Sequence, residues 1–505
     1  MLWAFVYAAG GLVLALYAAD FLISFTYDAR EPQKIPSRIP LVGHLIGIIG
    51  NGTSYYSEIS KTIDAEIYTL GVLNHKLYVC NSNRLMPFIS KSSKTLSFKP
   101  FIQTSTKTHC GANDDTYRIH GDGEFLDKIS HAMRQSLAPG AHLDHQNMGM
   151  GNRVMVDVDA LLAEEGGRPR EIHLLEWARH AVVQASSSGI YGETHPFTDP
   201  EVEKAYWKWQ DYMIMHVAGL DITGAGYAAR NKCSDAIREL IKTLPEEAAL
   251  IAKERVRVFR EGGISEDELS KIEAGFFVAI FANTSPTLFW TIWELFSRND
   301  LLEEVREEVS AQAVTGSTEE GFELDIAALK HRCPLLLSVY QETQRTRHVH
   351  ANIRKVQQDT LLDGRYLLKA GNFLTMPGAP IHQDEKIWGN SVSQFDPYRF
   401  AGRKDNSSAP PPSAFLAWGA PPHLCPARQF AATEILIIVA LLAMRCDLRP
   451  ANGSWDTPAV NKADMATVLN PKKDVKMEAI PRDQWRGKWS LKMSESTGRI
   501  SLASG

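Results

Sequence analysis

The chain reads as a mainly α-helical protein with small β-sheets, folded as one large domain behind an apolar N-terminal helix. Three observations carry this reading. Apolar residues recur at helical spacing over residues 297–309, 326–348 and 427–446. A further helix opens on a capping box, Ser265 with Glu268, and runs to about Arg298. Strand-like runs are short: residues 66–70 with 76–80, and 360–362 with 366–368 around an Asp-Gly turn. No internal repeat is visible, and the Gly/Pro/Ser cluster at residues 405–413 is only loop-sized.

The first element, residues 2–25, is apolar apart from Asp20 near its end, a length suited to one membrane-spanning helix. Residues 1–26 are therefore expected to be a transmembrane anchor. Arg30, Lys34 and Arg38 follow it, which places the rest of the chain in the cytosol by the positive-inside tendency. Pro32, Pro36 and Pro40 prevent a helix and make residues 27–45 a semi-rigid hinge. Residues 46–505 are expected to form the single large folded domain.

Composition narrows the function. Of 505 residues 44% are hydrophobic and 22% charged, a globular balance, and the net charge of -5 with no basic, aromatic-interleaved stretch excludes nucleic-acid binding. Cys80, Cys110, Cys233, Cys333, Cys425 and Cys446 show no short repeated spacing, which excludes a disulfide framework and a zinc cluster. Five of them read as small buried hydrophobes.

The helix from Ser265 is apolar nearly all round between Phe276 and Phe289, so it should cross the core. Pro286 has no N–H and clashes with the carbonyl of Ala282, so the helix is expected to open there. Asn283, Thr284 and Ser285 flank the opening, where water or dioxygen can bind.

Cys425 stands apart from the other cysteines. Two prolines and a glycine precede it, and Pro426 is expected to begin a long apolar helix. A cysteine at a helix N-terminus faces unpaired N–H groups that lower its pKa, and a thiolate on a rigid loop suits an axial iron ligand. Upstream, Glu342 and Arg345 lie three apart on one helical face, and the segment Phe395–Phe400 with Arg399 precedes the cysteine.

With these features in this order, the chain resembles the cytochrome P450 superfamily over essentially its whole length, and in particular its sterol 7α/12α-hydroxylase and prostacyclin-synthase branch. Its general look is that of fungal secondary-metabolite members. The resemblance implies the cytochrome P450 fold and haem b held by Cys425. It implies that Glu342, Arg345 and Arg399 brace the core beneath the haem. It also implies an NADPH-cytochrome P450 reductase docking near Cys425, dioxygen as co-substrate, and single-pass anchoring in the endoplasmic-reticulum membrane. Trp418 is expected to cover the sulfur. His423, Arg354 and Arg134 are expected to reach the haem propionates. The chain departs from the family pattern at Trp418, Pro421, His423 and Ala427 of the cysteine loop. It departs also at Ser130, where a tryptophan is usual, and at Asn283–Thr284, where an acid–alcohol pair is usual.

The expected reaction is insertion of one oxygen atom from O2 into a lipophilic terpenoid, sterol-like or polyketide substrate. Thr284 delivers protons and Asn283 orients water. The alternative is a haem-thiolate isomerase or peroxide-rearranging enzyme that needs no reductase. Residues 350–353 are expected to be a loop lining the pocket.

Overall fold

A computed structural model of the protein describes residues 2–163, 169–402, 410–462, 466–494 and 498–504. Part of the 405–413 cluster therefore lies outside the described residues.

The centre of the molecule is the Arg428–Arg445 helix, which begins just after Cys425. From Gln429 onward nearly every side chain is buried, polar Thr433 and Glu434 included, as an all-round apolar sequence requires. It packs against the helices Ala141–Leu162, Thr284–Phe296, Asn299–Ala313 and Ile326–Arg332. The expected helix over 326–348 is two helices, Ile326–Arg332 and Pro334–Arg347, because Pro334 cannot continue the first and opens the second.

A six-stranded sheet lies against this helical body, in the order 34–35, 67–72, 75–80, 373–377, 351–356, 96–97 among the described residues. Both predicted hairpins are present: Ile67–Val72 with His75–Cys80, and Thr360–Leu362 with Tyr366–Leu368. In the second, Asp363 and Gly364 both take positive φ, 51° and 66°, in a turn that the Arg365 N–H closes on the Leu362 carbonyl at 2.9 Å. Residues 350–353, expected as a loop, instead enter the strand Ala351–Val356, which pairs with Phe373–Pro377.

The N-terminal helix spans Leu2–Ser24, and Tyr7, Leu14, Phe21 and Leu22 on it are exposed. Glu266–Phe296 is the one described helix long and apolar enough to cross a membrane, but it is mostly buried inside the protein and is a core element. The proline segment is no free spacer. Lys34–Ile35 pairs in parallel with Ile67–Val72, and Glu31 is buried, accepting hydrogen bonds from Lys76 Nζ at 2.7 and 3.0 Å and from Tyr78 OH at 2.7 Å. Lys34 reaches back to Asp20 at 2.7 Å. Removing Glu31 strands a buried ammonium, a loss of about 3 kcal/mol or more. In Glu31→Ala, tryptic cleavage at Lys34 and Arg38 is expected to accelerate by about tenfold or more. Cleavage at the wild-type rate contradicts the staple.

Candidate active site

The loop before Cys425 is held from three sides. The Cys425 N–H donates to the Trp418 carbonyl at 2.8 Å, which closes the loop on itself. Gly419 sits at φ 99°, and a Cβ there would lie 2.8 Å from the His423 carbonyl, so the turn admits only glycine. From the strand Ala351–Val356, Asn352 Oδ1 accepts the Ala420 N–H at 3.1 Å, and Arg354 Nη2 donates to the Ala420 carbonyl at 3.0 Å. His382 Nε2 accepts the Leu416 N–H at 2.9 Å, which fixes a neutral ring; burial pushes its pKa down to about 3.

The helix after the cysteine begins at Arg428, not at Pro426, with Ala427 as its N-cap. Cys425 thus lies before the first turn. Burial pushes its thiol pKa up, against the pull of the Ala427 N–H and Arg428. The expected lowering by the helix terminus is therefore outweighed by desolvation, and deprotonation needs a stronger positive charge beside the sulfur, such as a metal ion.

Beneath the loop, Glu342 and Arg345 form a bidentate pair at 2.7 and 2.8 Å, and Arg399 Nε bonds both Glu342 oxygens at 3.1 Å. The remaining guanidinium N–H groups reach the carbonyls of His382, Val392, Gln394, Trp388 and Ser391. All three side chains are buried. The three residues expected to brace the core are thus brought together, and their charges and donors are satisfied.

On the other side, the long helix breaks as the proline requires, into Glu266–Phe281 and Thr284–Phe296. Ser265 caps the start, but Glu268 does not complete the capping box; its carboxylate accepts the Asn113 N–H at 2.8 Å instead. Thr284, Ser285 and Thr287 each bond the carbonyl four residues back. Asn283 Oδ1 accepts the Thr467 N–H at 3.0 Å, so the amide ties the break to another chain segment. One face of the helix, with Gly275, Phe276, Ile280 and Asn283 half-buried and Ala279 exposed, is open.

At the edge of the cysteine loop a cationic group gathers. Arg354, Lys99 and Arg134 all act on His423, whose pKa falls to about 4, first through burial and then through these charges. Arg354 is 3% exposed. It donates only to the Ile353 and Ala420 carbonyls, and among the described residues no carboxylate pairs with it. Burial alone pulls its pKa down to about 10. A buried guanidinium without a counter-ion is costly and calls for an anion.

The sequence model of the cytochrome P450 family matches residues 233–478. The cytochrome P450 monooxygenase nodJ of Hypoxylon pulicicidum is 29% identical over 95% of both chains, and a cytochrome P450 monooxygenase of Gibberella zeae is 25% identical over 94% of both. The human 7-alpha-hydroxycholest-4-en-3-one 12-alpha-hydroxylase is 28% identical over 41% of this chain and 44% of its own. The chain belongs to the cytochrome P450 family. It is a monooxygenase, and the family carries haem on a cysteine thiolate. The residues of this P450 fit that group. Arg354 and Arg134 bring positive charge to His423 at the loop edge, which suits an anionic group, the Trp418 indole N–H is buried without a partner among the described residues, and an open helix face carries Thr284 at its end.

Two contributors escape sequence reasoning. Lys99 joins the basic group from the Lys99–Thr108 helix, paired with Asp127 at 2.9 Å. Residues 467–469 bridge Asn283, Trp290 and Val349 through backbone hydrogen bonds. Neither carries a local motif.

Proposed function

We propose that this monooxygenase holds haem b through Cys425 and oxidises a lipophilic terpenoid, sterol-like or polyketide substrate with electrons from an NADPH-dependent cytochrome P450 reductase. The observation that carries the reading is a loop cysteine braced on a fully satisfied Glu342–Arg345–Arg399 core and flanked by a buried, anion-seeking Arg354. One atom of O2 enters a C–H bond and the other leaves as water, with two electrons from NADPH and two protons. The haem supplies dioxygen activation, which the thiolate favours by donating electron density. Arg354, Arg134 and His423 bind the propionates, and Trp418 covers the sulfur.

Thr284 holds a proton at Oγ1, anchored to the Ile280 carbonyl at 3.0 Å, at the point where the helix opens. Asn283 positions the backbone around that point through Thr467, and its amide N–H groups orient water. In Thr284→Ala, NADPH consumption is expected to continue while product per NADPH falls about fivefold or more and hydrogen peroxide rises. Coupling equal to wild type sinks this role. Product formed from a peroxide substrate without NADPH or reductase points instead to the rearranging alternative.

The reading extends to the membrane. Residues 1–26 anchor the protein in the endoplasmic reticulum, 27–45 form a stiff hinge held against the sheet, and 46–505 make a cytosolic haem domain. The 23-residue Leu2–Ser24 helix is about 35 Å long, enough for a hydrocarbon core of about 30 Å. Exposed Ile214, Met215, Val217, Leu220 and Ile222 form a second apolar surface suited to a bilayer. Carbonate extraction of membranes tests this: the full chain stays in the pellet, whereas residues 27–505 partition into the supernatant to a larger extent.

A further inference from the structure

The open face of the Glu266–Phe281 helix ends, away from the break, under a polar group that the reaction does not use. His109 follows the Lys99–Thr108 helix and is 8% exposed. Its ring stacks on Trp209 of the Pro200–Asp211 helix, with centroids 4.6 Å apart and planes 13° from parallel. Both His109 ring nitrogens and the Trp209 indole N–H are buried without a hydrogen-bond partner among the described residues. Such groups are rare in native interiors, and three in one stacked pair point to a ligand atom that satisfies them.

Position places this pair beside the Gly275 end of that face. A Cβ at Gly275 would lie 2.3 Å from Cys110 Sγ and 4.0 Å from His109 Cδ2, so the His109–Cys110 turn rests directly on Gly275. Ala279 and Asn283 continue the same face one and two turns on, and Ala279 is exposed. From Gly275 to Asn283 the helix rises about 12 Å. Burial, then the charges of His216 and Arg230, push the His109 pKa down to about 4, so its ring is neutral, with one N–H and one lone pair.

We infer that His109, backed by Trp209, hydrogen-bonds a hydroxyl or carbonyl oxygen on an otherwise apolar substrate, about 12 Å from the carbon oxidised beside Thr284. This rests on the haem-pocket reading above and adds a substrate property to it: the substrate already carries an oxygen function at its far end before this reaction.

The test uses the purified full-length holoenzyme and two series of haem-ligating probes, 1-alkylimidazoles and 1-(ω-hydroxyalkyl)imidazoles of equal length from hexyl to dodecyl, titrated by their Soret shift. In wild type the hydroxyl-ended probe is expected to bind about tenfold tighter than its methyl-ended twin at one chain length. His109→Phe, which keeps the stacked ring and removes both nitrogens, erases that advantage and leaves the alkyl series within about threefold. His109→Gln, which keeps a donor and an acceptor, retains a preference for the hydroxyl, a pattern misfolding cannot produce. Equal affinities at every length in wild type, or an advantage that survives His109→Phe, overturn the assignment. A normal reduced carbon monoxide band with no hydroxyl advantage removes only the role of His109; absence of the band and of every imidazole shift removes the haem reading itself.

Discussion

Cys425→Ser is expected to remove the reduced carbon monoxide band at about 450 nm and to lower turnover to roughly a thousandth or less, while the fold survives. The fold survives because the loop is held by its own backbone, by Asn352 and Arg354, and by His382, none of which touches the sulfur. The chemistry fails because serine offers a hard, poorly ionised oxygen where a soft thiolate is needed. No other cysteine can take over. Cys80, Cys110, Cys233, Cys333 and Cys446 are all buried in other parts of the fold, away from the loop. The checks are the carbon monoxide difference spectrum, product formation and circular dichroism on the same preparation. A 450 nm band retained in the serine variant rules out Cys425 as the ligand.

Glu342→Ala is expected to be the most damaging single change to stability. Glu342 accepts hydrogen bonds from Arg345, Arg399 and the Asp396 N–H, and every partner is buried or nearly so. Deleting the carboxylate leaves Arg345 without its counter-ion and Arg399 with only Asp396 at 3.9 Å. Breaking one buried pair costs about 3–5 kcal/mol, against a total stability of about 5–15 kcal/mol. Folded, haem-loaded protein should therefore not accumulate. Glu342→Gln keeps the shape but not the charge, and is expected to fall between wild type and alanine. Soluble yield, haem per polypeptide and thermal midpoint measure this. An alanine variant with full haem content and a midpoint within a few degrees of wild type contradicts the bracing role.

What the sequence made legible was local or carried by spacing. Pro286 foretold the break in the central helix, Asp363–Gly364 foretold a hairpin, and the uniform apolar run after residue 427 foretold a buried helix. Pro334 carried the same kind of signal as Pro286, but the strong apolar period across residues 326–348 masked it, and the helix there is really two. The start of the cysteine-loop helix was read two residues early because a proline suits a first turn, yet the chain needs Pro426 and Ala427 to turn out of the loop. Non-local partners left no trace. Nothing near Glu31 announces Lys76 and Tyr78, and nothing near Arg354 announces the Ala420 carbonyl, because such pairs are set by how the sheet and the loop meet in space. The capping box shows the same limit: Ser265 acts locally as its type demands, while Glu268 is drawn away by an amide more than a hundred residues distant. Of the candidate site residues, Glu342, Arg345 and Arg399 meet each other, Arg134, Arg354 and His423 meet electrostatically, and Asn283 turns from the solvent to Thr467.

That last hydrogen bond has a mechanical side. Residues 467–469 reach the opened helix through Asn283 and Trp290, and the same stretch bonds Val349 beyond the end of the Pro334–Arg347 helix. Two elements that pack on each other are thereby pinned to one strut of backbone, like boards nailed to one batten. A wall pinned in this way does not yield to admit a wider molecule, so bulk added to a substrate near Thr284 meets stiffness, whereas bulk added toward Ala279 meets room. Tolerance of this enzyme for altered substrates should thus be lopsided: narrow at the end where bonds are made, generous along the length that leads to it.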